Sequence, residues 1–263
     1  MVAASEQSRA ASIPDETFAS GAYEAFFART VRAIRAAQCL RYQVFNMEKA
    51  QGLAAGPAGR DADAYDPACH HLIVQHSPTQ SVVGTYRMQT HAMAQAGNGW
   101  YSTSLFDLSS WPLAVQQQAV EVGRACIARD HRALPVLNLL WRGIGAYLAH
   151  HEARYLFGCC SVDSQDPAVG VALHRYLQNE GVVHPTLHAP PQPGHACVLA
   201  GDDAPSAADA SAIPRLMRVY LRMGTRICSS PAIDRAFKTI DFLAFFDINA
   251  LSDSAARFFG YDR

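Results

Sequence analysis

The stretch AVEVGRACI, residues 119–127, sets the hardest condition on the fold. It reads as a buried strand, yet it carries Glu121 and Arg124 three positions apart, with Gly123 between them. Side chains on a strand alternate between faces, so an odd separation sends the carboxylate and the guanidinium to opposite sides of the sheet. A β-bulge adds one residue to a strand against its partner and returns both charges to one face, and a neighbouring glycine eases the distortion. Unpaired burial of either charge is costly, so the two form an ion pair, cap a strand edge, or serve a ligand.

The rest of the chain supplies strands and helices around this one. YEAFFAR (23–29) reads as a first strand and TVRAIRAAQCLRYQVFN (30–46) as a helix with Ile34, Ala37, Leu40 and Val44 on its apolar face. HHLIVQH and SVVGTYRMQT, within 70–90, form an antiparallel hairpin across SPTQ. After 119–127 come a helix over VLNLLWRGIGAYLAHHEA, a strand over RYLFGCCSV, a helix from about Pro167 to Gln178, a helix near 212–227 and a strand near 238–247. Strands and helices alternate without strict βαβ order, which predicts an α/β (α+β) domain with a mixed central sheet flanked by helices. Residues 1–18 are expected to be a disordered tail, residues 19–263 a single domain, and the proline- and aspartate-rich stretch at about 184–210 a surface insert.

With 263 residues and a formal charge of -1, the chain has the length for a substantial core and no global field for nucleic acid. Its seven cysteines show no CxxC spacing and sit mostly in apolar surroundings, as expected of reduced thiols in a cytoplasmic protein. No apolar run reaches the ~18 residues a membrane span requires, so any membrane contact is expected to be peripheral.

Four groups of residues are candidates for chemistry besides the strand pair. The loop 61–66, DADAYD, offers Asp61, Asp63 and Asp66, with Glu48 upstream; alternation points Asp61 and Asp63 the same way, as an amine or cation site requires, and a solvated acidic loop has the same composition. The loop has no glycine-centred calcium pattern, and no metal site is expected. His70 and His71 enter a strand and His131 lies in a connector, places where histidines are usually structural. In PRLMRVYLRMGTRI, Arg215, Arg218, Arg222 and Arg226 recur at helical spacing as one cationic stripe, either a solvated face or a surface for an anionic partner.

Taken in order, LRYQVF, the DxDxYD pattern at 61–66 with HLIV after it, VVGTYR, AVEVGR and SSPAIDRAFKTIDFLAFFD closely resemble the ornithine N-acyltransferases, the lyso-ornithine lipid synthases often labelled hemolysin-like. They look similar as well to acyl-homoserine lactone synthases and long-chain N-acyl amino acid synthases, all within the GCN5-related N-acyltransferase superfamily. The resemblance implies a mixed sheet whose fourth strand carries a bulge and splays open a cleft for a thioester. It implies transfer of a (3-hydroxy)fatty acyl group from acyl carrier protein to the α-amine of ornithine, with no bound cofactor, acyl-phosphopantetheine being the donor substrate. Coenzyme A users of this superfamily follow the bulged strand with a glycine-rich turn that clasps pyrophosphate; here the connector is RDHRALP, which suits a carrier protein.

On this reading Glu121 accepts a proton from the amine or positions it, and Arg124 or Arg87 pairs with the acceptor carboxylate. Asp61, Asp63 or Glu48 holds the side-chain ammonium, Asp66 completes the acidic loop, and Arg41 and Phe45 order that loop and shape the acyl cleft. The arginine stripe docks an acidic carrier protein or the inner membrane surface. Two rivals stand beside this: another synthase of the same fold making lactones or other N-acyl amino acids, and a membrane-binding protein without enzymatic activity, for which a charged pair inside a core strand has no use.

Overall fold

A computed structural model describes residues 12–53, 59–199, 208, 210–251, 256–257 and 259–260. Alternating apolar runs build the sheet. Strands β1 (Phe18–Ser20), β2 (Tyr23–Phe27), β3 (His70–His76), β4 (Ser81–Thr90) and β5 (Ala119–Ile127) follow one another antiparallel. Strand β6 (Tyr155–Val162) then joins β5 in parallel, and β9 (Thr239–Asp247) runs antiparallel to β6 along its full length. The short β7 (Arg226–Ile227) and β8 (Ala232–Asp234) both pair with β9.

The helices are α1 (Val31–Tyr42), α2 (His91–Ala96), α3 (Leu113–Gln117), α4 (Leu134–His150), α5 (Pro167–Asn179) and α6 (Arg215–Arg222). Thr30 caps α1 by accepting from the Ala33 amide, and Asp166 caps α5 by accepting from that of Ala168. Helix α4 covers one face through Val136, Leu140, Ile144 and Tyr147, which pack with Leu72, Val74, Met88 and Val120. The opposite face carries α1 against Ile73, and a second core where Trp100 and Trp111 meet Phe157, Leu243 and Phe245.

Three boundaries differ from expectation. Residues 1–11 lie outside the described residues, but the remainder of the expected tail is built in: Ile13 is 3% exposed within the core, and Phe18–Ser20 is a strand. That extra strand makes the bulged strand the fifth rather than the fourth. The expected surface insert is also stitched to the sheet, with Ala189 buried and bridged to Ser229 and Ala196 bridged to Ala232; residues 200–207 and 209 fall outside the described residues. Lastly, the helix expected over 212–227 stops at Arg222. Gly224 takes φ +100°, a conformation that favours glycine and ends a helix, so Arg226 enters β7 instead.

Candidate active site

The irregularity read from AVEVGRACI is a bulge. Thr85 opposes Cys126 and Arg87 opposes Gly123, so Arg124 and Ala125 of β5 together face the single residue Tyr86 of β4. Arg124 absorbs the distortion with φ +51°. Alternation restarts at the bulge, which brings the Arg124 side chain to the face that holds Glu121 and Arg87, where it and Arg87 stack on the same Tyr101 ring, at 4.8 and 5.4 Å from its centroid.

The bulge coincides with a parting of strands. Strands β5 and β6 pair only from Ala119 to Glu121, against Tyr155 to Phe157. At the point of divergence the backbones touch, since a Cβ on Gly158 would lie 2.1 Å from the Val122 carbonyl oxygen. One residue further the space is open, and a Cβ on Gly123 would meet nothing within 4 Å. Backbone groups on both sides of this gap lack a sheet partner across it, and a ligand entering it meets hydrogen-bonding groups already in place.

Glu121 is buried at the apex, where it accepts from the Tyr101 amide at 2.8 Å and the Ser102 amide at 2.6 Å. Burial pushes its pKa up, and these two bonds offset only part of the effect. A small cavity of about 10 Å³ adjoins it, lined by Arg87, Gln89, Tyr101 and Gly123 among others. Both amide atoms of the Gln89 side chain are buried there without a hydrogen-bond partner among the described residues.

Beside the apex, three arginines and three aspartates cancel one another. Arg41, fully buried, donates to Asp61 Oδ1 at 2.8 Å, to Asp66 at 2.9 and 2.7 Å, and to the Asp61 carbonyl oxygen. Arg87 donates to Asp63 at 2.6 Å and Asp66 at 3.0 Å, and Arg124 donates to Asp63 Oδ2 at 2.7 Å. Arg124 Nε also approaches Asp61 Oδ1 at 3.3 Å without hydrogen-bond alignment, which leaves that Nε and Asp61 Oδ2 buried and without a hydrogen-bond partner among the described residues. Burial alone would raise the pKa of Asp66, but the Arg41 bonds and the charges of Arg41 and Arg87 outweigh it and hold the carboxyl well below the usual range. Asp63 is lowered in the same way, with Arg87 and Arg124 outweighing burial.

The structure thus gathers Glu121, Arg124, Arg87, Arg41, Asp61, Asp63 and Asp66, but redistributes their tasks. Asp61 and Asp63, read as receivers of an ammonium, are held by arginines of the same chain. Glu48 lies apart from them in a two-pronged pair with Arg132, at 2.7 Å on each arm. Phe45 stands edge-on to Phe237 with centroids 6.3 Å apart, and Phe237 packs 4.2 Å from the Arg124 guanidinium carbon. The histidines are structural: His70 bonds the Tyr147 hydroxyl at 2.8 Å, His71 is buried behind Asp66, and His131 bonds the Tyr23 hydroxyl. The expected four-arginine stripe is broken. Only Arg215, Arg218 and Arg222 belong to α6, Arg218 turns back to the Ile213 carbonyl, and Arg226 bonds the Gly181 carbonyl from β7.

Tyr101, Ser102, Gln89 and Phe237 are site residues that periodicity did not single out. Tyr101 and Ser102 lie in a stretch without regular pattern, and only the need of a buried Glu121 for donors pointed toward such partners.

Residues 40–142 match the acetyltransferase (GNAT) domain family. The chain is 30% identical to the L-ornithine N(alpha)-acyltransferase of Agrobacterium fabrum (strain C58), over 91% of this chain and 86% of that one. The enzyme of the same name from Brucella abortus (strain 2308) is also 30% identical, over 91% of this chain and 89% of its own. Among solved structures, the AHL synthase LasI matches with a TM-score of 0.50 at 11% identity, covering 90% of this chain and 95% of its own. FeeM, an N-acyl amino acid synthase from uncultured soil microbes, matches with a TM-score of 0.50 at 9% identity, covering 87% and 94%. At such identities the likeness to these two structures is one of fold.

Proposed function

The chain belongs to the L-ornithine N(alpha)-acyltransferase family, and from that premise we propose that it moves a fatty acyl group from a thioester to the α-amine of L-ornithine. The amine nitrogen bonds to the thioester carbonyl carbon, the carbon–sulfur bond breaks, and the amide leaves as lyso-ornithine lipid while the thiol takes up a proton. The observation that carries this reading is the bulged β5 parting from β6 beside a buried carboxylate. The gap admits an extended thioester arm, and its unpaired backbone donors can stabilise the oxyanion that forms as the amine adds.

An amine attacks only in its neutral form, so a base of elevated pKa serves better than an ordinary glutamate. Glu121 has that elevation from burial. Its oxygens already hold the Tyr101 and Ser102 amides, and the proton reaches it through the adjoining cavity, whose size corresponds to about one water molecule. Arg124, whose Nη2 donates to Asp63 and whose Nε has no hydrogen-bond partner among the described residues, meets the acceptor carboxylate. Arg41, Arg87 and the three aspartates act as a rigid mount that keeps the bulge in register.

The donor on this reading is a 3-hydroxyacyl group on the phosphopantetheine of an acyl carrier protein. In support, the connector Arg129–His131 leads to α4 through Ala133, with no side-chain cap and no glycine-rich cradle for a nucleotide pyrophosphate. The exposed Arg215 and Arg222 of α6 offer cations to an acidic carrier or to anionic lipid at a membrane surface. No helix among the described residues is long and apolar enough to cross a membrane.

The test is incubation of the purified chain with 3-hydroxyacyl carrier protein, the matching acyl-coenzyme A, ornithine, other amino acids and S-adenosylmethionine, read by mass spectrometry. The expected product is N-acyl-ornithine, formed faster from the carrier protein. Acyl-homoserine lactone, or an acyl amino acid without ornithine product, would overturn the reading.

A further inference from the structure

Around the gap, the described carboxylates other than one are matched by cations or backbone amides. Asp61, Asp63 and Asp66 have Arg41, Arg87 and Arg124; Glu48 has Arg132; Glu121 has two amides. Asp234 accepts from the amides of Ala236 and Phe237 and from the Tyr101 hydroxyl at 3.4 Å. Asp241 differs. It is 3% exposed, its hydrogen-bonding neighbours are the hydroxyls of Thr239, at 3.2 Å, and Ser161, and it forms no ion pair among the described residues.

Its position follows from strand register. Asp241 opposes Ser161 of β6, and alternation places it on the face of Leu243, Phe245 and Phe157, which is also the face of Glu121. Ser161 is exposed while Asp241 is covered, so Asp241 stands just inside the opening, close enough to sense the charge of Arg124. A carboxylate buried beside hydroxyls and a second carboxylate, Asp234, with no cation paired to it among the described residues, is unfavourable for the protein by itself and becomes favourable when a cation reaches it. Strand β6 lies between β5 and β9. Asp241 is therefore separated from the bulge by the width of β6 and by the gap itself, on the side of the site away from Glu121 and the reacting amine.

We propose that Asp241 receives the side-chain ammonium of the acceptor and thereby selects amino acids that carry a second amine. This rests on the acceptor reading above and assigns to β9 a task that the sequence alone suggested for Asp61, Asp63 or Glu48. It also accounts for a raised Asp241 pKa, brought to about 6 chiefly by burial, as a property of the protein without its acceptor.

The experiment compares wild type and Asp241→Asn with ornithine and with 2-aminopentanoate, which has the same carbon chain without the second amine, at a fixed acyl donor. Wild type is expected to prefer ornithine by tenfold or more in kcat/KM. In the variant, the KM for ornithine rises about tenfold or more while 2-aminopentanoate is used as before, so the preference collapses toward one. A purely structural role would lower both acceptors alike, and an unchanged preference overturns the proposal. Should the asparagine variant not fold, Asp241→Glu, which advances the charge by one methylene, is expected to favour 2,4-diaminobutanoate over ornithine; an unchanged ranking overturns the proposal equally. A wild-type enzyme that acylates no ornithine would overturn the acceptor reading and this role together, whereas a preference that survives the variants overturns this role only.

Discussion

Replacing Arg41 by methionine keeps most of the apolar length of the side chain and removes the guanidinium that joins Asp61 to Asp66. Arg41 is fully buried and donates to both carboxylates and to the Asp61 carbonyl oxygen, so these acceptors lose their partner where water cannot replace it. Asp66 would keep Arg87 at 3.0 Å and Gln38 at 3.0 Å, while the Asp61 side chain would keep, among the described residues, only the misaligned Arg124 Nε at 3.3 Å. Breaking a buried ion pair from one side costs about 3–5 kcal/mol, and the partners that remain keep the loss inside that range. For a chain of this size that is a fall in Tm of roughly 6–20 °C, measured by thermal unfolding at neutral pH. The pH dependence has a definite sign. Arg41 and Arg87 hold the Asp66 pKa down against burial, so this contribution is complete above the unfolded value of 3.8 and is lost as pH falls toward the folded one. The gap between wild type and Arg41→Met therefore narrows below about pH 4. A variant within 2 °C of wild type at neutral pH, or a gap that widens in acid, would refute the account of the network.

Three further outcomes test other parts of the site. Gly158→Ala puts a methyl 2.1 Å from the Val122 carbonyl oxygen, and backbone must move at the apex of the gap; a loss of about 1–3 kcal/mol is expected by urea unfolding, and an unaltered midpoint would contradict the close approach. Arg124→Lys keeps the charge but cannot both reach Asp63 and stack between Phe237 and Tyr101, so kcat/KM should fall about tenfold or more with the circular dichroism spectrum unchanged; activity within twofold of wild type would remove Arg124 from the site. Asp241 has a raised pKa, so the folded state favours its protonated form, and stability is lost as pH rises from about 3.8 through about 6. Asp241→Asn should then be more stable than wild type at pH 7.5, by roughly 2–3 kcal/mol at about 1.4 kcal/mol per pKa unit, and equal to it near pH 3.

The sequence carried the bulge because a local rule failed visibly there: Glu121 and Arg124 have the wrong parity for one face of a regular strand, and the extra residue opposite Tyr86 repairs it. What the charges touch is a matter of long-range geometry, and parity says nothing about it. Asp63 lies 61 residues from Arg124 along the chain, and the Ser102 amide that holds Glu121 lies in a stretch with no period. Where a signal existed, it could be misread by extending a pattern too far. The arginine spacing from 215 to 226 is helical throughout, but Gly224 falls before the last member and takes a conformation that a helix does not continue through. TIDFLAFFD reads as an apolar strand and is one, and that reading hides its most informative residue. Thr239 and Asp241 are the polar members of an alternation whose next members, Leu243 and Phe245, are buried against Phe157 and Trp111. A polar end on an otherwise apolar strand face marks the place where the core gives way to a cavity or to solvent. Burial of Asp241 beside the exposed Ser161 puts it at that margin, and the same parity rule that located the bulge on β5 then places this carboxylate on the face of Glu121.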